Sequence, residues 1–227
     1  MGERANLALT IKELFDLEHT ELKEFLLRFT YPWETLPGLT KMIAAIAQSL
    51  EDSDEYYMFE EGVLIHKEAE VAPSARLTAP CVIGAGSEVR HGAFIRGGVI
   101  VGEGCVVGNS VELKNAALFD CVQVPHFNYV GDSILGYKAH MGAGAITSNV
   151  KADRTPVTVR AGEERIETGL KKCGAFLGDK VEVGCNSVLN PGTVVGRGTH
   201  IYPLLSLRGA YPPNCIVKDK DTVIPRK

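Results

Sequence analysis

A six-residue spacing of aliphatic side chains runs through most of this chain. It links Ile65, Val71, Leu77, Ile83, Val89, Ile95, Val101, Val107 and Leu113, and it returns at Leu177, Val183, Leu189, Val195, Ile201 and Leu207. A period of six fits neither an α-helix nor a simple alternating strand, so it indicates a repeat architecture whose units stack on one another.

The neighbours of the aliphatic residue repeat as well. Glycine often follows it, as at Gly84, Gly102 and Gly184, and a small or β-branched residue such as Ala75 or Ser87 stands four positions later. A short extended segment that points one aliphatic side chain inward and then turns sharply produces this pattern. Three such segments make one triangular coil, so the sequence predicts a mainly β solenoid.

Composition restricts the possible partners. The 227 residues carry a formal net charge of −4 without a long basic run, which argues against nucleic acid as the main partner. No stretch is long and apolar enough to cross a membrane, and charged residues stand where a signal peptide is apolar, so we expect a cytoplasmic protein. The six cysteines include no Cys-x-x-Cys pair, and no metal site is predicted.

Residues 1–60 follow a different, helical spacing. Apolar residues recur from Ile11 to Leu17 and from Leu22 to Phe29, and a third helix is expected from about Leu39 to Leu50. We expect this segment to be an N-terminal helical cap over the open first coil of a β domain that spans residues 61–227. A domain that recruits a substrate or a partner is the alternative.

The repeat is interrupted twice. It slips by one residue after Leu113, so that Leu118, Val124 and Val130 carry it through the segment Val-Pro-His-Phe-Asn-Tyr-Val-Gly-Asp at 124–132, and it lapses into a polar excursion at about 151–172. Val157, Val159 and Ile166 around Ala161-Gly162 predict a protruding hairpin there. Interruptions of a rigid scaffold often carry function, because side chains at those positions no longer serve the core.

The slip and its flanks resemble a known family. The motifs are Val-Gly-Asn-Ser-Val-Glu-Leu-Lys at 107–114, the slip segment itself, and Met-Gly-Ala-Gly-Ala-Ile-Thr-Ser-Asn at 141–149. They are similar to the hexapeptide-repeat acyltransferases, in particular to the acetyltransferase half of the bacterial bifunctional enzyme that acetylates glucosamine-1-phosphate and then uridylylates it. The similarity implies a left-handed parallel β-helix, a homotrimer with sites between prisms, and acetyl-CoA as the acyl donor.

The resemblance also implies roles for individual residues. His126 would be the general base, Tyr129 would lie beside the sugar, and Asn149 would lie near the amino group. Arg96 and Lys114 would hold the substrate phosphate, while a backbone amide around Ala143 would stabilise the oxyanion. Cofactor contacts would fall along the later coils, at Cys185 and Pro203.

Several positions depart from the family pattern. His140 replaces an asparagine of the substrate site, where a second imidazole could bind phosphate or share proton transfer. Val150 replaces a tyrosine and Cys185 replaces a serine. The family takes a lysine from a neighbouring chain at the excursion, where Lys151, Arg154, Lys171 and Lys172 are all possible. The acceptor can therefore differ from glucosamine-1-phosphate.

Other functions were weighed against acetyl transfer. Nucleotidyl transfer is rejected for this chain, because residues 1–60 lack a phosphate-cradling glycine-rich loop and the length of an α/β domain. A zinc enzyme is disfavoured because the histidines lack the close spacing of metal ligands. The expected function is acetyl-CoA-dependent N-acetylation of an amino-sugar phosphate or sugar nucleotide. A non-catalytic module that binds a sugar phosphate or a sugar nucleotide is the alternative.

Overall fold

The computed structural model describes residues 7–219 and 221–226. The first six residues of the predicted cap, together with Lys220 and Lys227, lie outside the described residues. The helices are α1 (Ile11–Leu14), α2 (Lys23–Leu26) and α3 (Leu36–Ser49), with 3-10 helices at Leu17–His19 and Pro32–Thr35. None of the helices in the described part is long and apolar enough to cross a membrane.

Most of the remaining chain is short strands. In chain order they are β1 (Tyr56–Glu60), β2 (Val63–His66), β3 (Glu70–Val71), β4 (Arg76–Leu77), β5 (Cys81–Ile83), β6 (Glu88–Val89), β7 (Phe94–Ile95), β8 (Val99–Val101), β9 (Val106–Asn109), β10 (Glu112–Leu118), β11 (Gln123–His126), β12 (Tyr129–Leu135), β13 (His140–Met141), β14 (Ile146–Thr147), β15 (Thr158–Ala161), β16 (Glu164–Glu167), β17 (Ala175–Leu177), β18 (Glu182–Val183), β19 (Val188–Leu189), β20 (Thr193–Val195), β21 (His200–Ile201), β22 (Ser206–Leu207), β23 (Ala210–Tyr211), β24 (Cys215–Val217) and β25 (Val223–Pro225).

These strands form the three faces of a parallel β-helix, which confirms the predicted mainly β fold. The first face runs through β4, β7, the start of β10 and β12, then β14, β19 and β22. The second face comprises β3, β6, β9, β11, β13, β18, β21 and β24. The third face runs through β2, β5, β8, the ends of β10 and β12, β17, β20 and β23.

The six-residue aliphatic spacing forms the core. Leu77, Ile95 and Leu113 stack inside the first face and are fully buried. Strand pairing also confirms the slip: Glu112 pairs with Phe94, 18 positions earlier, whereas Tyr129 pairs with Glu112, only 17 positions earlier. One residue is therefore lost from the coil that carries the slip.

The N-terminal helices do not cover the open first coil as we expected. They lie along the third face, where α3 contacts β5, β8 and β10, and the Trp33 ring lies 6.0 Å from that of Phe176. From β2 to β20 the outward side chains of that face are buried, at Leu64, Val82, Ile100, Ala117, Ile134, Phe176 and Val194. The helices therefore form a lateral layer, because this face is apolar on both sides.

Antiparallel strands protect the two ends of the solenoid instead. The strand β1 pairs with β2 at one end, and β25 pairs with β24 at the other. Each added strand satisfies backbone groups that would otherwise form an open edge.

The excursion contains the predicted hairpin, formed by β15 and β16. It packs on the solenoid rather than projecting from it, because Val157 and Val159 are fully buried. A Cβ added at Gly192 would lie 2.9 Å from Cγ1 of Val157, and one at Gly209 would lie 2.8 Å from the carbonyl oxygen of Arg160. Both glycines have positive φ, so these two positions provide the room in which the hairpin docks.

Candidate active site

The predicted phosphate-binding cations lie side by side on the first face. Arg96 follows β7, and Lys114 occupies the corresponding outward position of β10, one coil later. Arg96 donates from Nη1 to Oε1 of Glu112 at 2.8 Å, and this bond raises the pKa of the Arg96 guanidinium above its usual value. Nζ of Lys114 lies 3.6 Å from Oδ2 of Asp132. Each cation of the pair therefore has a carboxylate partner.

Asp132 is the centre of this cluster, and the sequence did not identify it. The residue is 4% exposed, and its backbone is left-handed with a φ of 49°. Asn115 donates to its Oδ1 at 2.8 Å and Asn149 donates to its Oδ2 at 2.5 Å. The Gly131-Asp132 step of the slip segment was the only signal in the sequence. Asp132 joins residues of three coils into one network.

Tyr129 lies across the same face. Its hydroxyl accepts a hydrogen bond from Nδ2 of Asn149 at 3.2 Å, and a Cβ added at Gly131 would lie 2.4 Å from that hydroxyl. The missing side chain at Gly131 therefore lets the ring lie over it. Partial burial, followed by the nearby charges of Asp132 and Glu112, raises the pKa of Tyr129.

His126 ends β11 at the corner between the second and first faces, three residues before Tyr129. Its side chain is exposed, and its ring makes no hydrogen bond or ion pair with any described residue. Its backbone is held firmly: the amide donates to Oδ1 of Asn128 at 3.1 Å, and the carbonyl accepts from the amide of Gly144 at 3.1 Å. The imidazole is therefore free to act while its backbone is fixed.

Asn128 is a second residue that the sequence did not single out. It is 2% exposed, and its Nδ2 donates to the carbonyl oxygens of Gly142 at 2.8 Å and Ala145 at 3.0 Å. It thereby ties the turn after His126 to the next coil. Within the described chain, the half-buried amide of Ala143, on that coil, makes no hydrogen bond, so it can donate to a ligand.

The predicted cofactor residues continue along the same corner. The carbonyl of Ala143 accepts from the amide of Asn186 at 2.8 Å, and that of Cys185 accepts from Leu204 at 2.9 Å. Cys185 is exposed, and Pro203 is the neighbour of Leu204. Successive coils therefore place His126, Ala143, Cys185 and Pro203 in one ladder. Exposed apolar side chains flank it, with Phe127 at 56% and Leu204 at 76%.

His140 is not brought into this cluster. It begins β13 on the second face, where its Nδ1 lies 2.8 Å from Oε2 of Glu182. Among residues 7–219 and 221–226, it has no contact with Arg96 or Lys114. In the same described ranges, no group of His, Cys, Asp or Glu side chains could hold a metal ion.

A shallow depression adjoins the cation pair. It has a volume of about 350 Å³ and is lined by the first turns of α3 as well as by Arg96, Lys114, Asn115 and Asp132. Oγ1 of Thr40, on α3, donates to Oδ1 of Asn115 at 3.0 Å, while Nδ2 of Asn115 donates to Asp132. The helical layer therefore contributes directly to the wall of the candidate site.

Comparison with known proteins places the chain in a family. Residues 77–197, more than half of its length, match the family described as the GMPPB C-terminal domain. The chain belongs to that family, whose match covers the slip, the candidate site and the excursion. The fold is thus that of a hexapeptide-repeat protein.

Two curated relatives add the resemblance to acetyltransferases. The chain is 37% identical over 94 residues to the bifunctional sugar-1-phosphate nucleotidylyltransferase/acetyltransferase of Sulfurisphaera tokodaii. This alignment covers 41% of this chain and 23% of that protein. It is 31% identical to the bifunctional protein GlmU of Methanococcus maripaludis, over 97% of this chain and 52% of that protein. The chain thus matches about half the length of the Methanococcus maripaludis protein and less than a quarter of the Sulfurisphaera tokodaii protein. The predicted resemblance to the hexapeptide-repeat acyltransferases is confirmed.

Among solved structures, the acetyltransferase domain of PglB from Neisseria gonorrhoeae aligns with 83% of this chain and 67% of its own. The sequence identity is 17% and the TM-score is 0.35. At this TM-score the likeness has no weight for fold or function.

Proposed function

We propose that this chain transfers an acetyl group from acetyl-CoA to the amino group of an amino-sugar phosphate or of a nucleotide-linked amino sugar. The observation that carries the proposal is the position of His126. Its imidazole is unpartnered among the described residues, and His126 ends β11 at the corner that leads to the face of the cation pair, one coil before the free amide of Ala143. The name of one curated relative, a bifunctional sugar-1-phosphate nucleotidylyltransferase/acetyltransferase, supports the same chemistry.

The reaction needs a base, an oxyanion donor and an anchor for the acceptor. Neutral His126 would take a proton from the attacking amine as the new C–N bond forms. The amide of Ala143 would donate to the oxygen of the tetrahedral intermediate. The C–S bond then breaks, and the proton goes to the departing CoA thiolate. No metal takes part in these steps.

The acceptor would be held on the first face. Arg96 has a planar guanidinium that can bind a phosphate with two parallel hydrogen bonds, and Lys114 adds a point charge. Tyr129 and Asn149 would face the sugar. The exposed apolar corner at Phe127 and Leu204 would receive the pantetheine arm of acetyl-CoA, and Cys185 and Pro203 would lie along it.

We also infer a homotrimer with the corner facing a second prism. Exposed Phe127, Tyr202 and Leu204 support this inference, because large apolar side chains in a row are typical of interaction surfaces. Light scattering coupled to size-exclusion chromatography measures the mass in solution, and a monomer at micromolar concentration would contradict it.

The test is release of free thiol from acetyl-CoA in the presence of glucosamine-1-phosphate or a nucleotide-linked amino sugar. We expect His126→Ala to lower kcat by about 10²- to 10⁴-fold, the usual contribution of a general base. His200→Ala is the matched control, because the ring of His200 is also unpartnered among the described residues, but His200 begins β21, three coils after β11 and at the opposite end of the strand from His126.

Full activity of His126→Ala would refute the mechanism. Binding of a sugar phosphate without thiol release from any acceptor would favour the non-catalytic binding module. That module remains the second candidate because His140, Val150 and Cys185 depart from the family's site pattern.

A further inference from the structure

A second group of cations lies outside the candidate active site. The docked hairpin and the later coils of the first face enclose a cleft of about 100 Å³. Its lining residues are Lys151, Thr158, Arg160, Arg165, Pro191 and Arg208. Four of these six carry a positive charge, and none carries a negative one.

The packing of the hairpin fixes the position of these cations. Val157 and Val159 anchor β15 in the solenoid, and the carbonyl of Arg160 lies against Gly209, the neighbour of Arg208. Arg160 pairs with Arg165 across the hairpin. Arg160 and Arg165 thus lie on strands, and Arg208 directly follows one. None of the three guanidinium groups belongs to a long loop.

The charges of this cluster are not balanced by the protein. Within the described ranges, Arg160, Arg165 and Arg208 form no ion pair, whereas Lys151 lies 3.5 Å from Oδ2 of Asp153. Like charges directly opposite one another destabilise a strand pair. An arrangement that places Arg160 against Arg165 and beside Arg208 is therefore unfavourable unless an anion occupies the cleft.

The carboxylate of β16 on the same face of the hairpin as Arg165 does not supply that anion. Glu167 lies on the same face of the hairpin as Arg165, opposite Thr158. Its Oε1 accepts a hydrogen bond from the Thr158 hydroxyl at 3.2 Å, and it forms no ion pair with a described arginine.

The cleft lies on the same face as the candidate active site. Arg208 follows β22 and occupies the outward position that Lys114 occupies four coils earlier. At a strand spacing of about 4.8 Å, the two positions are separated by roughly 19 Å along the prism. One extended phosphorylated ligand can span that distance.

We propose that this basic cleft binds the phosphate groups of a ligand, with Arg160, Arg165 and Arg208 as the donors. A planar guanidinium matches two phosphate oxygens, and three of them around a small cleft suit a diphosphate better than a single carboxylate. The phosphates belong either to CoA or to a nucleoside diphosphate that carries the acceptor sugar.

The experiment is calorimetric titration of the full chain at low ionic strength with inorganic pyrophosphate, with CoA and with UDP. Arg165→Gln and Arg208→Gln should each weaken pyrophosphate binding about tenfold to a hundredfold, because each removes a charge-assisted contact. Arg28→Gln is the matched control: Arg28 is exposed beside α2, forms no ion pair with a described residue and does not line the cleft. The affinity of this control variant for pyrophosphate should equal that of the parent chain.

The CoA and UDP arms identify the source of the phosphate. If the two cleft variants weaken CoA but not UDP, the cleft serves the acyl donor, and the reverse result assigns it to the acceptor. The proposal is overturned if none of the three probes binds, or if the cleft variants bind all three as the parent does. These titrations need no turnover, so their outcome is independent of acetyl transfer.

Discussion

The lateral helical layer should contribute a large part of the stability of the solenoid, and Phe176 tests this. Phe176 points outward from β17, is fully buried, and has its ring 6.0 Å from that of Trp33. Phe176→Ala removes the ring and leaves a cavity between two elements that cannot easily close it. Comparable substitutions of buried aromatic residues cost about 3–5 kcal/mol of unfolding free energy.

Trp33 makes the measurement direct, because it is the only tryptophan of the chain and lies at this interface. Urea unfolding followed by Trp33 fluorescence and by far-ultraviolet circular dichroism reports the layer and the solenoid separately. With an m-value of about 2.5 kcal/mol/M, the expected loss shifts the fluorescence midpoint down by about 1–2 M urea.

Phe94→Ala is the control for this experiment. Phe94 also points outward from a solenoid strand, but it is 40% exposed and has no helix over it. Its replacement should cost about 1 kcal/mol, well below the loss expected in Phe176→Ala. A loss below about 1 kcal/mol in Phe176→Ala, or equal losses in the two variants, would refute the integral role of the layer.

Three further predictions concern the site and the cysteines. Burial raises the pKa of the Cys81, Cys105 and Cys173 thiols to about 12. At pH 8 a thiol reagent should therefore label exposed Cys185 rapidly and these three cysteines only after unfolding. Rapid labelling of all six cysteines would contradict the fold. Asp132→Ala should cost about 2–5 kcal/mol in urea unfolding, since it leaves two amide donors unpaired and puts alanine in a left-handed backbone. Thr40→Val should raise KM for the acceptor severalfold without changing KM for acetyl-CoA, and an unchanged acceptor KM would exclude α3 from the site.

The repeat made the solenoid predictable because its core depends on a strictly local pattern. One aliphatic residue every six positions must point inward, and a one-residue loss must appear as a shorter coil, as the pairing of Tyr129 with Glu112 shows. The motifs around His126 identified the candidate base because they lie in the interrupted segment. Both signals can be read from neighbouring residues alone.

The position of the helices was harder to predict. Their apolar spacing showed that they need a partner but not which surface that partner offers. The sequence did contain a usable signal: Cys81–Ile83, Val99–Val101 and Ala175–Leu177 are apolar at every position, whereas a strand exposed on one side alternates. Three consecutive apolar residues predict burial on both sides of the strand.

Asp132 was missed for a different reason. Its partners Asn115 and Asn149 come from other coils, and its left-handed backbone turns the carboxylate towards both of them. Such a convergence depends on the exact register between coils, which no local pattern specifies.

The two ion pairs of the site suggest how an anionic acceptor would enter it. The pair of Arg96 with Glu112 is exposed on both sides, and exposed ion pairs contribute little to stability, so a phosphate can displace Glu112 at small cost. Lys114 faces Asp132, which is 4% exposed and held by two asparagines, so this carboxylate cannot turn away from the lysine as Glu112 can from Arg96. Arg96 is therefore the cation that would move to grip the phosphate, while Lys114 stays in place. Replacement of Glu112 by glutamine should then strengthen the binding of a sugar phosphate, whereas replacement of Asp132 should weaken it by disordering the site.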